Sequence, residues 1–131
     1  MPADMLDFPI AVVADLASPP LAPDAHPIDR THLFRMTLGD HELECEVLQL
    51  FDQQAGMLLA RMGEVDAAAV AALAHTLQGS ARGIGAWGVA RAAEALEIAA
   101  SAKNAELQSA MNALSAATTE ARAAIADLLR S

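Results

Sequence analysis

Cysteine is nearly absent from the 131-residue chain: Cys45 stands alone. One thiol cannot close an internal disulfide, and no CxxC pair offers a zinc site. The fold must be held by its own core, and this cysteine usage fits the cytoplasm. A chain of this length is expected to form one domain burying roughly two thirds of its unfolded surface, enough to need neither disulfide nor metal. Long runs of bulky apolar residues are missing too. Hydrophobic residues make up 54% of the chain, but alanine supplies much of that. The longest candidate, residues 67–74, is mostly alanine and far shorter than the roughly 20 residues of a membrane span. Basic residues are few. Eight Lys and Arg against 17 Asp and Glu leave a formal charge of −9, which argues against binding a phosphate backbone. Met1-Pro2-Ala3-Asp4 carries no basic segment ahead of the apolar stretch that follows, so no signal peptide is expected.

Proline is missing from Asp29 onward. All six prolines, including Pro19-Pro20, lie in residues 1–28. Proline removes backbone donors and breaks helices, so 1–28 reads as an irregular N-terminal arm preceding a body at 29–131. The arm's apolar run, Phe8-Pro9-Ile10-Ala11-Val12-Val13, is long enough to pack on that body.

The body is helical in its periodicity. Asp29 can cap a short helix ending near Gly39, and Asp40 a long one ending near Gly63, with Glu42 and Glu44 near its positive end. In the long helix Leu43, Val47, Leu50, Phe51, Gln54 and Leu58 form a three-and-four-spaced stripe. Asp66 can cap a third helix reaching about Arg82, and Gly83 and Gly85 mark a tight break. A fourth helix runs from about Ala86 to Ser101, with Val89, Ala93 and Leu96 on one side. The fifth runs from about Ala105 to Leu129. Its Leu107, Met111, Leu114, Thr118, Ala121, Ile125 and Leu128 alternate like the seam of a bundle. The expected fold is therefore all-α: an antiparallel, up-down four-helix bundle with a short N-terminal helix and an irregular arm.

His75 is out of place for a core residue. At about 100° per residue, with Val70 at 0°, Leu73 and Leu77 point to about 333° and His75 to about 140°. Ala68, Ala71, Ala72 and Gly79 share its face, where an ordinary exposed helix carries Lys, Glu and Gln. Gly79 costs about 1 kcal/mol relative to alanine in a helix interior. That cost makes sense if something must approach the ring closely. A neutral imidazole offers a nitrogen lone pair near pH 7, can attack phosphorus, and forms a labile N–P bond. Phosphoryl transfer asks a protein for positioning and charge stabilisation more than covalent help.

The segment His75-Thr76-Leu77-Gln78-Gly79-Ser80-Ala81-Arg82-Gly83-Ile84-Gly85-Ala86 resembles the motif of histidine phosphotransfer domains. That motif has a phosphorylated histidine, an apolar residue two on, a Lys-Gly pair next, then a small residue, and a glycine ten on. Here those places hold His75, Leu77, Gln78-Gly79, Ser80 and Gly85. The similarity spans about Asp29 to Leu129. It implies a four-helix bundle with His75 exposed in mid-helix. It also implies reversible phosphorylation of His75, with the phosphoryl group passing to or from a receiver-domain aspartate. Receiver domains of response regulators and a hybrid sensor histidine kinase would be the partners. Mg²⁺ would belong to the receiver, with no cofactor of the chain's own and no nucleotide. Gln78 departs from the family's frequent lysine. It can hydrogen-bond a phosphoryl group but carries no charge. Arg82, about 20° from His75 in azimuth and about 10 Å further along the axis, can compensate.

Elsewhere plainer roles are expected. Ser80 is a small packing residue, Trp87 packs at a helix start, and Cys45 is partly buried. His26, His32 and His41 are scattered and make no metal site. Glu42/Glu46 and Glu94/Glu97 read as solvated faces. Of Met57-Leu58-Leu59, one residue is exposed and can join a docking patch near His75. Three functions compete. The leading one is a phosphorelay carrier, not an enzyme. A kinase dimerisation fragment would usually place an acidic residue where Thr76 follows the histidine, and the chain has no room for an ATP-binding domain. A helical adaptor or inhibitor would dock on a kinase or receiver without taking phosphate. High net charge and a closed bundle point to a monomer.

Overall fold

Capping chemistry divides the described part of the chain. The computed structural model describes residues 26–130, which hold five α-helices and no strand. They are α1 (Arg30–Met36), α2 (His41–Met62), α3 (Ala67–Ile84), α4 (Trp87–Ala102) and α5 (Leu107–Arg130). Asp29, Asp40 and Asp66 each accept a hydrogen bond from the backbone N–H three residues on, to His32, Leu43 and Ala69 at 3.0–3.1 Å. Each satisfies one of the unpaired donors at a helix start. The three caps are those the sequence indicates. The apolar run Phe8–Val13 and the Pro19-Pro20 pair lie outside the described residues.

The four long helices form a ring in which each packs on its sequence neighbours and α5 closes back on α2. This is the antiparallel, up-down bundle expected. Its centre holds Leu77, Leu96, Leu114 and Ala93 at 0% exposure and Ile125 at 1%. The α5 seam is as anticipated, with Leu114, Thr118, Ala121 and Ile125 buried. Asp52 of α2 accepts from Arg122 Nε of α5 at 2.7 Å. Gly56 leaves room for that guanidinium, since a Cβ there would stand 2.9 Å from it.

Two local expectations need correction. The buried face of α2 consists of Leu48, Phe51, Ala55, Leu58 and Met62. Leu50 is 64% exposed and Leu43 38%. Both fit a three-and-four spacing, yet they lie about 100–120° from the core direction on a helical wheel. Spacing alone could not choose between two overlapping apolar stripes. Gly83 is also no break: α3 runs through it to Ile84. Only Gly85 leaves the helix, at φ +82°, with the Ala86 N–H closing onto Ala81 O at 2.8 Å. This is the six-to-one bond of a glycine-terminated helix.

Asp29 locks that end of the bundle. Its N–H donates to Gly85 O at 2.9 Å, and its Oδ2 accepts from Trp87 Nε1 at 2.9 Å. The His32 ring meets Trp87 edge-on, with centroids 4.9 Å apart. A Cβ on Gly85 would stand 3.0 Å from Asp29 Cβ and from its carbonyl oxygen, so glycine is required there for conformation and for clearance. Ile28 and Leu33, each 2% exposed, insert beside this junction's helices into the core. Trp87 thus packs at a helix start, as its sequence position indicates.

Burial raises the Asp29 pKa, but the Trp87 indole N–H, the His32 backbone N–H, nearby His32 charge and the Thr31 backbone N–H together hold it below its ordinary 3.8. A depressed folded-state pKa means that this contribution is present above about pH 4 and is lost as pH falls through the folded value. Asp29→Ala should cost about 2 kcal/mol at neutral pH, from a lost cap and an unpaired indole N–H. Asp29→Asn should flatten this part of the acid limb. Denaturant unfolding followed by Trp87 fluorescence at neutral and acid pH checks both.

Candidate functional site

His75 stands in the middle of α3 with its side chain 71% exposed. The residues around it fix its direction. Val70, Ala74, Leu77, Ala81 and Ile84 bury the core face. His75 lies about 140° from their mean direction on a helical wheel. It is therefore turned to the flank beside α4, and the ring meets a neighbour. His75 Nδ1 is 3.2 Å from Glu97 Oε1 on α4. The pairing follows from the hairpin. Ten residues back from Gly85 is His75, and eleven forward from Ala86 is Glu97. Antiparallel helices joined by so tight a turn bring these two positions level.

Around this pair the α3 and α4 flanks form an open groove of about 700 Å³, lined by His75, Gln78, Arg82, Glu94, Glu97 and Ile98 among others. Gln78 is 7% exposed and lies at the groove's inner side. Arg82 NH2 is 4.0 Å from Glu94 Oε1, and both side chains are about half exposed. Such a pair contributes at most about 1 kcal/mol, so the guanidinium is free to change partner. Gly79 is exposed, and a Cβ built on it meets nothing within 4 Å. The glycine answers to no packing demand within the chain.

All four sequence-predicted site residues thus share one side of α3, and three of them, His75, Gln78 and Arg82, line one groove with α4. The bare face is present at Ala68, Ala72 and Gly79, all exposed, while Ala71 is half-buried against the core. Glu94 and Glu97 are not merely solvated charges, and that expectation is corrected. Glu97 is only one-third exposed and bonds His75; Glu94 faces Arg82. Sequence reasoning treated each helix separately, and the signal it missed was the register outward from Gly85-Ala86. Leu58 is buried, Leu59 half-buried and Met57 59% exposed, so Met57 is the exposed member of that run. Among the described residues no three His, Cys, Asp or Glu side chains are grouped to hold a metal ion. No described helix is long and apolar enough to cross a membrane.

The groove is open, and it leaves the exposed imidazole accessible to a macromolecular partner. Because Gly79 is unconstrained inside the fold, Gly79→Ala should raise stability by about 1 kcal/mol through helix propensity alone. Thermal melting by circular dichroism checks this, and a loss of stability would mean that the glycine has a structural role.

Comparison with known proteins agrees with the geometry. A family model described as Hpt domain matches residues 46–130, from early α2 to the end of α5, with His75 inside the match. No curated protein and no solved structure matches the chain. With the helical bundle and the histidine both in place, the chain belongs to the Hpt domain family, the histidine phosphotransfer modules of two-component phosphorelays.

Proposed function

We propose that the chain is a phosphoryl carrier. His75 accepts a phosphoryl group from a receiver-domain aspartate, such as that of a hybrid sensor histidine kinase, and passes it to the aspartate of another response regulator. The observation that carries this reading is the exposed imidazole in mid-helix beside Gly79, where a missing side chain opens the approach and the fold gains nothing from it. Mg²⁺ and the reacting carboxylate belong to the receiver. The chain supplies the nucleophile and a surface to dock on, and binds no nucleotide. Leu50 and Met57, 64% and 59% exposed, lie on the flank of α2 turned away from the α5-facing Asp52 and Gly56. They supply the apolar part of such a surface.

The phosphoryl group needs neutralising charge. Gln78 offers amide donors from the groove's inner side, and Arg82 can swing from Glu94 to the phosphoryl oxygens. This replaces, at longer reach, the lysine that the family often carries at the position of Gln78.

The test mixes the purified protein with a panel of receiver domains phosphorylated on aspartate, with Mg²⁺ and no ATP. Acid-labile label should appear on the wild type and not on His75→Gln. A protein that binds a receiver and never takes label is instead a helical adaptor. Within the carrier reading, Arg82→Ala should slow transfer about two- to fivefold, the worth of one exposed charge. Gln78→Lys should raise the labelled fraction, its stem lying along the groove with the ammonium at the surface. Rapid-quench transfer kinetics measure both, and no change in either variant would remove these two residues from the mechanism.

A further inference from the structure

Away from the His75 groove, the first turns of α2 bring together three side chains with ligand chemistry. Cys45 Sγ lies 3.7 Å from His41 Nε2, and Glu44 Oε1 lies 3.9 Å from Nδ1 of the same ring. We propose that His41 and Cys45 form a binding site for a borderline-soft divalent cation of the zinc type, with Glu44 as the residue that orients the imidazole. The proposal stands apart from the carrier reading and uses none of its residues.

Helical spacing makes the pair, since residues four apart are neighbours on one face. The separation is the one a shared ion needs. Zinc bonds sulfur at about 2.3 Å and imidazole nitrogen at about 2.0–2.1 Å, and a tetrahedral angle between those bonds sets the two atoms about 3.6 Å apart. The 3.7 Å contact therefore needs almost no rearrangement to take an ion. In the metal-free chain it is a weak S–H···N hydrogen bond. The His41 side chain is 76% exposed and Cys45 is half-buried, so an ion can reach both donors from solvent.

Glu44 supplies what a metal-binding histidine ordinarily has, a carboxylate behind its other nitrogen. It has to close by about 1 Å to accept the Nδ1 proton. A proton held on Nδ1 leaves the Nε2 lone pair directed at the cation. Asp40, Glu42 and Glu46 flank the pair and raise the local concentration of cations without having to coordinate one. On binding, the Cys45 thiol gives its proton to solvent, the thiolate and the Nε2 lone pair each bond the ion, and Nδ1 keeps its proton. This donor set selects zinc over Mg²⁺, which prefers oxygen ligands. The chain offers two donors and, among the described residues, no grouped third, so water fills the remaining positions and the ion exchanges with solution. On a helical wheel Cys45 falls between Asp52 and Gly56, which face α5, and about 120–140° from Leu50 and Met57. A bound ion thus leaves that apolar flank uncovered.

Cys45 is the single thiol of the chain, so alkylation by iodoacetamide, followed by mass spectrometry, reads this site alone. On the full chain, reduced and freed of metal, Zn²⁺ should slow alkylation saturably, by about tenfold or more, and Mg²⁺ at the same concentration should not. His41→Ala and Glu44→Ala should each need at least about tenfold more zinc for the same protection, with circular dichroism confirming that both keep their helices. Co²⁺ should give a near-ultraviolet sulfur-to-cobalt charge-transfer band with the wild type and none with Cys45→Ser. Alkylation that ignores zinc, or that zinc slows equally in wild type and His41→Ala, would overturn the proposal. A Glu44→Ala titration identical to wild type would remove Glu44 from it. No receiver or phosphoryl donor takes part, so neither result bears on the carrier reading.

Discussion

The closeness of α3 to α4 is the constraint on which the site depends. Small residues permit it: Ala74, Ala81 and Ala93 are each fully buried, and side chains no larger than a methyl let helix axes approach well inside the usual 8–10 Å separation range's upper end. The turn at Gly85 then sets the register, and Asp29 fastens the turn by accepting the Trp87 indole and donating to Gly85 O. Register and separation together put a carboxylate of one helix 3.2 Å from an imidazole of the other. The short α1, which contributes nothing to the groove, matters because it carries the residues that pin this hairpin.

The same arrangement explains how a stable bundle can present a reactive group. The apolar side of α3 is fully committed to the core, so the helix is held by packing and its outer flank is free to lack ordinary surface residues. Gly79 weakens the helix locally, and the buried Ala74, Leu77 and Ala81 offset that cost. The carrier needs little more. Phosphoryl transfer depends on in-line placement and charge, and in the proposed division of labour the receiver brings the metal ion while the bundle brings an oriented ring. A net charge of −9 fits a protein whose specific contacts must be made at a local patch and not by bulk attraction.

Much of this was legible in the residues. The three aspartate caps, the α5 seam and the exposure of His75 all follow from local rules that one helix obeys by itself. The choice of buried stripe on α2 did not follow, because Leu43 and Leu50 obey helical spacing as well as Leu48 and Ala55 do. Only the position of the neighbouring helices decides between them. Gly83 stays helical for a related reason. Glycine permits a helix to end but does not require it, and at Gly85 the demand comes from Asp29, 56 residues away in sequence. Glu97 was likewise invisible to a helix-by-helix reading, since its contact with His75 exists only across the hairpin. The His75, Gly79 and Arg82 side of α3 could be read from sequence; the α4 side of the groove needed the fold.

The most direct measurement is the return step of the relay. The protein, phosphorylated on His75 and freed of donor, would be mixed with an unphosphorylated receiver domain and Mg²⁺, and the label followed over time. A carrier predicts that label leaves the bundle and appears on the receiver's aspartate much faster than it is lost to water in the receiver's absence. If label stays on the bundle and decays only at the rate of spontaneous hydrolysis with every receiver that binds it, the protein is not a phosphoryl carrier.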